Sequence, residues 1–493
     1  MPDLTGLGQI AAASIILLLM GRLLTGGRAG PGVQFLIGWG ALSLLLTFWG
    51  VATPFSLRLP ALGFALVAML GLARPHRAED LAALGRVVAL ALPILVITAT
   101  IRASQPDMFL NLLPNAAYLV DHAAFPTASG APSYSFLPVA PYNTQFVPFL
   151  GSLFGGGVAP NSLALFTVAL HLAAGLIFAR ILGGGRAGWG LSALGLLLAT
   201  LLNPGFVPRI SFAGYGEAPL SITLLAAGWL AARAMAAMVD GERWPRPLAA
   251  LALVLAAMVN AKQQGIGLYL AVTLAAMLVA ACDPRIGWRA SVRGFGLAGL
   301  PALALYVAWR GFVLSNFAEG ELKPLPFAQW QWGNLPAILG SMVKVVIEKP
   351  LLYGCFLAAI WLLIGRRRRN AAGMATRVLG LTIAVLVFYN GFLVLTYVGH
   401  FPGVMSLEAH SYFRYNTHLA LLVLLGLVLA LREAITVPVG RRRLAGGLAI
   451  AAILAAPIGF AQRLRFDLEA PQPLIWSLAE HLAPHLAPDD RLA

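Results

Sequence analysis

Charged side chains are scarce in this chain: only 11% of its 493 residues are Asp, Glu, Lys or Arg, against roughly 25% in an average soluble domain. So few charges cannot clothe a water-soluble surface of this size, which excludes an ordinary soluble globular protein. Lysine is scarcer still, occurring only at positions 262, 323, 344 and 349, while the remaining basic residues are arginine. Cysteine occurs twice, as Cys282 and Cys355, which excludes a disulfide framework and argues against redox chemistry. No convincing internal repeat is visible, which weakens an inverted-repeat transporter reading. The first apolar run, Leu7 to Met20, lacks a basic region before it and reads as a retained helix rather than a cleaved leader.

Apolar sequence is abundant, at 59% of residues. Long Leu- and Ala-rich runs recur along the whole chain, and in hydrocarbon only helices or closed barrels satisfy their own backbone polar groups. A barrel would show short alternating segments instead. The expectation is an all-α polytopic transmembrane bundle of about 12–14 spans. The runs fall near 7–21, 33–50, 60–73, 87–101, 161–180, 188–203, 218–233, 248–260, 266–282, 295–313, 351–365, 378–398, 415–431 and 444–461.

The formal charge of +15 would suggest nucleic acid in a soluble protein, but here the arginines sit in short loops between spans, where orientation is set. The tract Arg366 to Arg369 is the sharpest case, and the loops carrying Arg28, Arg74, Arg186, Arg243, Arg285 and Arg441 fall on the same side. That side is expected to be cytoplasmic, and no nucleic-acid partner is expected. The opposite side receives longer segments rich in Pro and aromatic residues: 102–160, 204–217, 314–350, 399–414 and the tail from Gln462. Long loops gathered on one face make an outward-facing site the default.

Four clusters in these segments could carry chemistry. In the first, Asp107 opens an expected interfacial helix whose spacing sets Asn111, Asn115 and Tyr118 on a similar face; a simple helix cap is the alternative for Asp107. In the second, Gly214-Tyr-Gly-Glu217 places a carboxylate at a helix N-terminus, where the dipole alone would also stabilise it. The third, Asn260-Ala-Lys262-Gln-Gln-Gly265, lies between two apolar runs. An ammonium there faces a polar cavity or an anion, or else snorkels to the headgroups. The fourth gathers His400, Glu408, His410, Arg414 and Tyr415. Arg414 suits a phosphate because its planar fork holds two oxygens. His400, Glu408 and His410 could ligate a divalent metal, but their spacing matches no strong motif.

Taken in order, these segments resemble the GT-C class of membrane glycosyltransferases, in particular the family 39-like bacterial enzymes that use polyprenyl-phosphate-linked sugars. Asp107 through Leu113-Pro114 is similar to the family's outward loop, and Pro141-Tyr142-Asn-Thr-Gln-Phe-Val-Pro148 to its Pro-rich lead-in to the next helix. Gly214-Tyr-Gly-Glu-Ala-Pro-Leu220 resembles a Gly-Tyr-x-Asp-x-Pro-Leu element, Lys262 with Gly265 a Lys-x-x-Gly turn, and Arg414-Tyr415 the Arg before a late helix. The sequence departs from the family where Leu112 replaces a frequent His, where Glu217 replaces Asp, and in having three spans before the outward loop.

The resemblance covers roughly 87–432. It implies N-terminal helices over 1–86, a catalytic core over 87–432, and a C-terminal helix and tail over 433–493. It further implies a glycosyltransferase of a bacterial inner membrane with its site facing the periplasm. Sugar would pass from a polyprenyl-phosphate-linked donor to a glycan, lipid or protein acceptor. Asp107 and Glu217 would be catalytic, with Lys262, Arg414, His410, Asn111, Asn115, Tyr118 and Tyr142 binding substrate or phosphate; no metal ligand is assigned and no cofactor is specified, a divalent metal being left open. Two other readings stand beside it, a polytopic transporter or lipid flippase and an O-antigen polymerase or ligase. Charge gathered at one interface rather than at the midplane favours the enzyme.

Overall fold

In the computed structural model the described residues are 4–75, 77–317, 324–401, 403–434 and 438–485. Lys323, Pro402 and the end of the tail therefore lie outside them. The described chain is all helix and loop, without strands. Every one of the fourteen apolar runs coincides with a helix. By length and composition, nine helices among the described residues are able to cross a membrane alone. A tenth is the pair Ala78–Leu90 and Leu92–Thr98, bent by 55°. Pro93 explains the bend, since its ring displaces the carbonyl one turn back and it lacks the N–H that would continue the ladder.

The expected count of 12–14 spans thus becomes nine or ten by this measure. The other four, Arg58–Ala73, Trp189–Ala199, Arg246–Val259 and Gly265–Ala281, are apolar but shorter. Helix Arg246–Val259 buries Val254, Leu255 and Ala256 through Val259 against neighbouring helices. Protein packing thus supplies much of the apolar environment that lipid would otherwise provide. The chain is a multi-pass α-helical membrane protein, and large side chains such as Val307, Leu357 and Trp361 remain exposed on long helices, where bilayer lipid covers them.

Small residues set the closest helix contacts, as expected where apolar helices gain little from hiding from lipid. A Cβ at Gly38 would stand 1.9 Å from the Leu17 carbonyl oxygen, and one at Gly40 would stand 1.9 Å from that of Leu253. Helix Pro31–Ala52 is thereby locked between Leu4–Thr25 and Arg246–Val259. Trp39 packs edge-on against Phe166, with ring centroids 5.2 Å apart. The first helices are in this way built into the same core as the rest.

Two faces result. On one, arginines tie neighbouring loops: Arg22 donates to the Arg74 carbonyl, Arg180 pairs with Asp80, Arg432 donates to the Ile181 carbonyl, and Arg366 pairs with Glu433. On the other, the long segments tie to one another. Arg209 Nε donates to Gln105 Oε1 at 2.7 Å, Leu325 N donates to the Gly399 carbonyl at 2.7 Å, and Arg102 N donates to Asp467 Oδ2 at 3.3 Å.

Candidate functional site

Helix Glu217–Val239 begins with its only acidic first-turn residue, placed there by a loop that Gly214 turns with φ +75°. That left-handed conformation suits glycine, and a Cβ at Gly214 would also stand 2.8 Å from the Leu163 Cβ. Gly216 is needed for a different reason: a Cβ there would lie 2.8 Å from the Lys262 Cδ and 2.9 Å from its Cβ. The missing side chain lets the lysine stem pass directly over the start of the helix.

Lys262 comes from the tight turn joining Arg246–Val259 to Gly265–Ala281, closed by Gly265 N donating to the Lys262 carbonyl at 2.8 Å. Its Nζ donates to Glu217 Oε1 at 2.6 Å. Arg414, in helix Tyr412–Asn416, brings its Nε to 2.7 Å from the same oxygen, an ion pair whose N–H is not aligned for a hydrogen bond. The Arg414 Nη2 lies 3.8 Å from Asp107 Oδ2. Four separate segments therefore converge on one group of two cations and two carboxylates.

Burial orders this group. The Glu217 side chain is 4% exposed, Lys262 and Arg414 are 28% and 29% exposed, and Asp107 is 47% exposed. Glu217 is thus the floor, the cations are the walls and Asp107 stands at the mouth. An ionised carboxylate at such depth requires compensating charge, which both cations supply together with the helix N-terminus. Glu217 Oε2 and Arg414 Nη2 make no hydrogen bond among the described residues, so each keeps unused capacity for a polar ligand.

Asp107 precedes a single π-helical turn, Met108–Leu112, which leads into helix Leu113–His122. Such turns recur at functional positions because they re-aim side chains. Asn111 Nδ2 reaches Asp107 Oδ1 at 3.5 Å.

The remaining residues picked from the sequence have other partners. Asn115 Nδ2 donates to the Leu137 carbonyl, the Tyr142 hydroxyl donates to Asn115 Oδ1 at 3.1 Å, and the Tyr118 hydroxyl donates to the Ala131 carbonyl. These three bonds brace the outward loop over 113–142. His410 is exposed, and its carbonyl accepts the Tyr397 hydroxyl. Among the described residues no group of three or more His, Cys, Asp and Glu side chains is disposed to hold a metal ion, so His400, Glu408 and His410 do not form a ligand set.

Two neighbours stand outside the expected site residues, although Tyr215 belongs to the Gly214–Leu220 element. Tyr215 lies under the Arg414 guanidinium, 4.8 Å from ring centroid to carbon, and its hydroxyl is close to Asp107. Burial, with Asp107 close by, pushes its phenol up to about 12, so it stays protonated in the physiological range. His418 is fully buried within the span Tyr412–Ala434, within electrostatic reach of Glu217, and its Nδ1 shares a hydrogen with the Tyr389 hydroxyl at 2.9 Å. An ionisable residue inside an apolar run is itself a signal; His418 offered it. No protein-family model matches this chain, and no curated protein matches it.

Proposed function

We propose that the chain is an integral membrane glycosyltransferase of the GT-C kind, moving a sugar from a polyprenyl-phosphate-linked donor to a hydroxyl acceptor. One observation carries this reading: Asp107, Glu217, Lys262 and Arg414 meet although they come from four distant segments of the chain. Their order along the sequence also follows the family pattern. The arginine-rich loops are then cytoplasmic, and the site opens to the periplasm of a bacterial inner membrane. A lipid-linked donor suits this design because its tail stays in the bilayer while its phosphate and sugar reach the headgroup level.

The chemistry assigns each residue a task. Asp107, the most exposed carboxylate of the group, takes the proton of the acceptor hydroxyl as its oxygen attacks the anomeric carbon. The bond from that carbon to the phosphate oxygen breaks, and the phosphate leaves with the electron pair. Lys262 and Arg414 stabilise the departing charge in a site of low dielectric, where such pairs act strongly. Glu217 positions both cations from below and prevents their mutual repulsion from splaying them. Its charge also limits how tightly the phosphate is held, which favours release of the product.

The test is transfer by the purified protein in lipid nanodiscs, supplied with radiolabelled polyprenyl-phosphate sugars and a membrane-lipid extract as acceptor source. Asp107→Asn keeps the shape and removes the proton acceptor, so turnover falls by roughly 10²–10⁴. Transfer at an undiminished rate by that variant would reject the assignment of the base, and a wild-type protein inert toward every such donor would reject the reading.

A further inference from the structure

We infer that a second site on the same face as the charge group binds a neutral saccharide, and that it is formed by the C-terminal tail against the start of the outward loop. Helix Gln472–Leu482 has no buried residue, yet its two sides differ. Leu474, Ile475 and Leu478 are exposed on one side. Pro473, Trp476, Ser477 and Glu480 form a stripe with i, i+3, i+4, i+7 spacing on the other, and this stripe lines a half-open cavity of about 430 Å³. The helix thus points its apolar side away from the protein and its polar and aromatic side into a cavity, the reverse of a helix on a soluble domain. At a membrane surface the apolar side meets lipid, and the polar stripe is left to serve a ligand.

The cavity is built rather than incidental. Arg465 holds Asp467 through two hydrogen bonds of 2.8 Å and reaches the Thr100 hydroxyl at 3.0 Å. Asp467, 2% exposed, accepts the Arg102 backbone N–H. This knot fastens the tail to the chain five residues before Asp107. Opposite it, Arg102 lies over the Trp476 ring at 5.5 Å and pairs with Glu480 at 3.0 Å. That pair is 56% and 65% exposed, so it opens at little cost and uncovers the indole face.

The chemistry of the lining selects the ligand. Two guanidinium groups face two carboxylates, so the cavity carries no net charge and has no preference for an anion such as phosphate. An indole face suits the C–H surface of a pyranose ring, while Arg102, Glu480 and Ser477 supply donors and acceptors for hydroxyl groups. The volume falls within the range of about 300–1,000 Å³ usual for small-molecule sites. Ile101, Met108, Tyr215 and Phe466 belong to one hydrophobic cluster, against which Trp476 packs and whose Tyr215 lies beneath Arg414. In the role of holding the acceptor glycan, the site rests on the transferase reading; in binding a saccharide, it does not.

The experiment measures binding of chitotriose, mannotriose and galactotriose to the purified protein in nanodiscs, without donor, by saturation-transfer NMR and titration. At least one binds the wild type, Trp476→Ala weakens it by about tenfold or more, and Glu480→Gln weakens it less. Inorganic phosphate does not compete. Trp476 is only partly buried at the edge of its hydrophobic cluster, and an unfolding curve unchanged from wild type verifies that Trp476→Ala is folded on the same sample. Binding of none of the three saccharides, or equal binding by Trp476→Ala, would overturn the inference while leaving sugar transfer at Asp107 to be judged by its own assay.

Discussion

On the arginine-rich face, Arg285 meets Asp283, two residues away, through two side-chain hydrogen bonds, with Arg285 49% exposed. On the opposite face, Glu217 is 4% exposed and is shared by Lys262 and Arg414, from segments far apart in sequence. The difference lies in what each arrangement costs. A pair near water between close neighbours costs little and gains little. A carboxylate buried between two cations is expensive to assemble and leaves donors and acceptors only partly used. Charge spent in that way marks a place where something other than stability is being served.

The sharpest way to break the comparison is to ask whether the two faces lie on opposite sides of the membrane. With Cys282 and Cys355 replaced by Ser, an impermeant thiol reagent added to intact cells should label cysteines at exposed positions 121 and 408 and spare one at 367. The outcome is all or none, and labelling of all three would contradict the topology. Next in size is the effect of removing the shared carboxylate. Glu217→Ala leaves two half-buried cations facing each other, and unfolding in detergent should show a loss of about 3–5 kcal/mol. A loss below about 1 kcal/mol, the range of surface pairs, would make the two faces equivalent. The smallest effect belongs to the other face: Arg285→Ala, at a side chain 49% exposed, should cost at most about 1 kcal/mol and leave donor affinity unchanged.

Much of this architecture was legible because span-forming runs depend on composition alone. All fourteen apolar runs fall on helices, since a Leu- and Ala-rich segment has no other stable form in lipid, whereas helices Leu335–Glu348 and Gln472–Leu482 lie in segments read as outward loop and tail. The lengths of the spans were not legible in the same way. The short helix Arg246–Val259 is accommodated by packing against Pro31–Ala52 and Glu217–Val239, a tertiary fact that no local pattern records. The four charged residues stood out by rarity, Lys262 above all, but the sequence suggested a pair of cations facing a phosphate directly. The floor that Glu217 builds between them depends on Gly216, whose missing side chain admits the Lys262 stem, and such a passage is invisible without coordinates. Asn115, Tyr118 and Tyr142 looked like ligands because polar residues in an outward loop do; here they satisfy the loop's own carbonyls and each other. Tyr215 stood inside the Gly214–Leu220 element without a role of its own, though it sits directly beneath Arg414.

If the buried carboxylate presents Lys262 and Arg414 as one anion site, a double-mutant cycle on donor binding will register it. Affinity for a polyprenyl-phosphate analogue is measured for the wild type, Lys262→Ala, Arg414→Ala and the double variant, each checked for folding by its unfolding curve. Each single substitution should weaken binding by about 1–3 kcal/mol, the range for hydrogen bonds to charged groups. The double loss should differ from the sum, because the two side chains share a ligand and a carboxylate. Unchanged affinity in both single variants would contradict the claim and leave both cations as counterions of Glu217 alone.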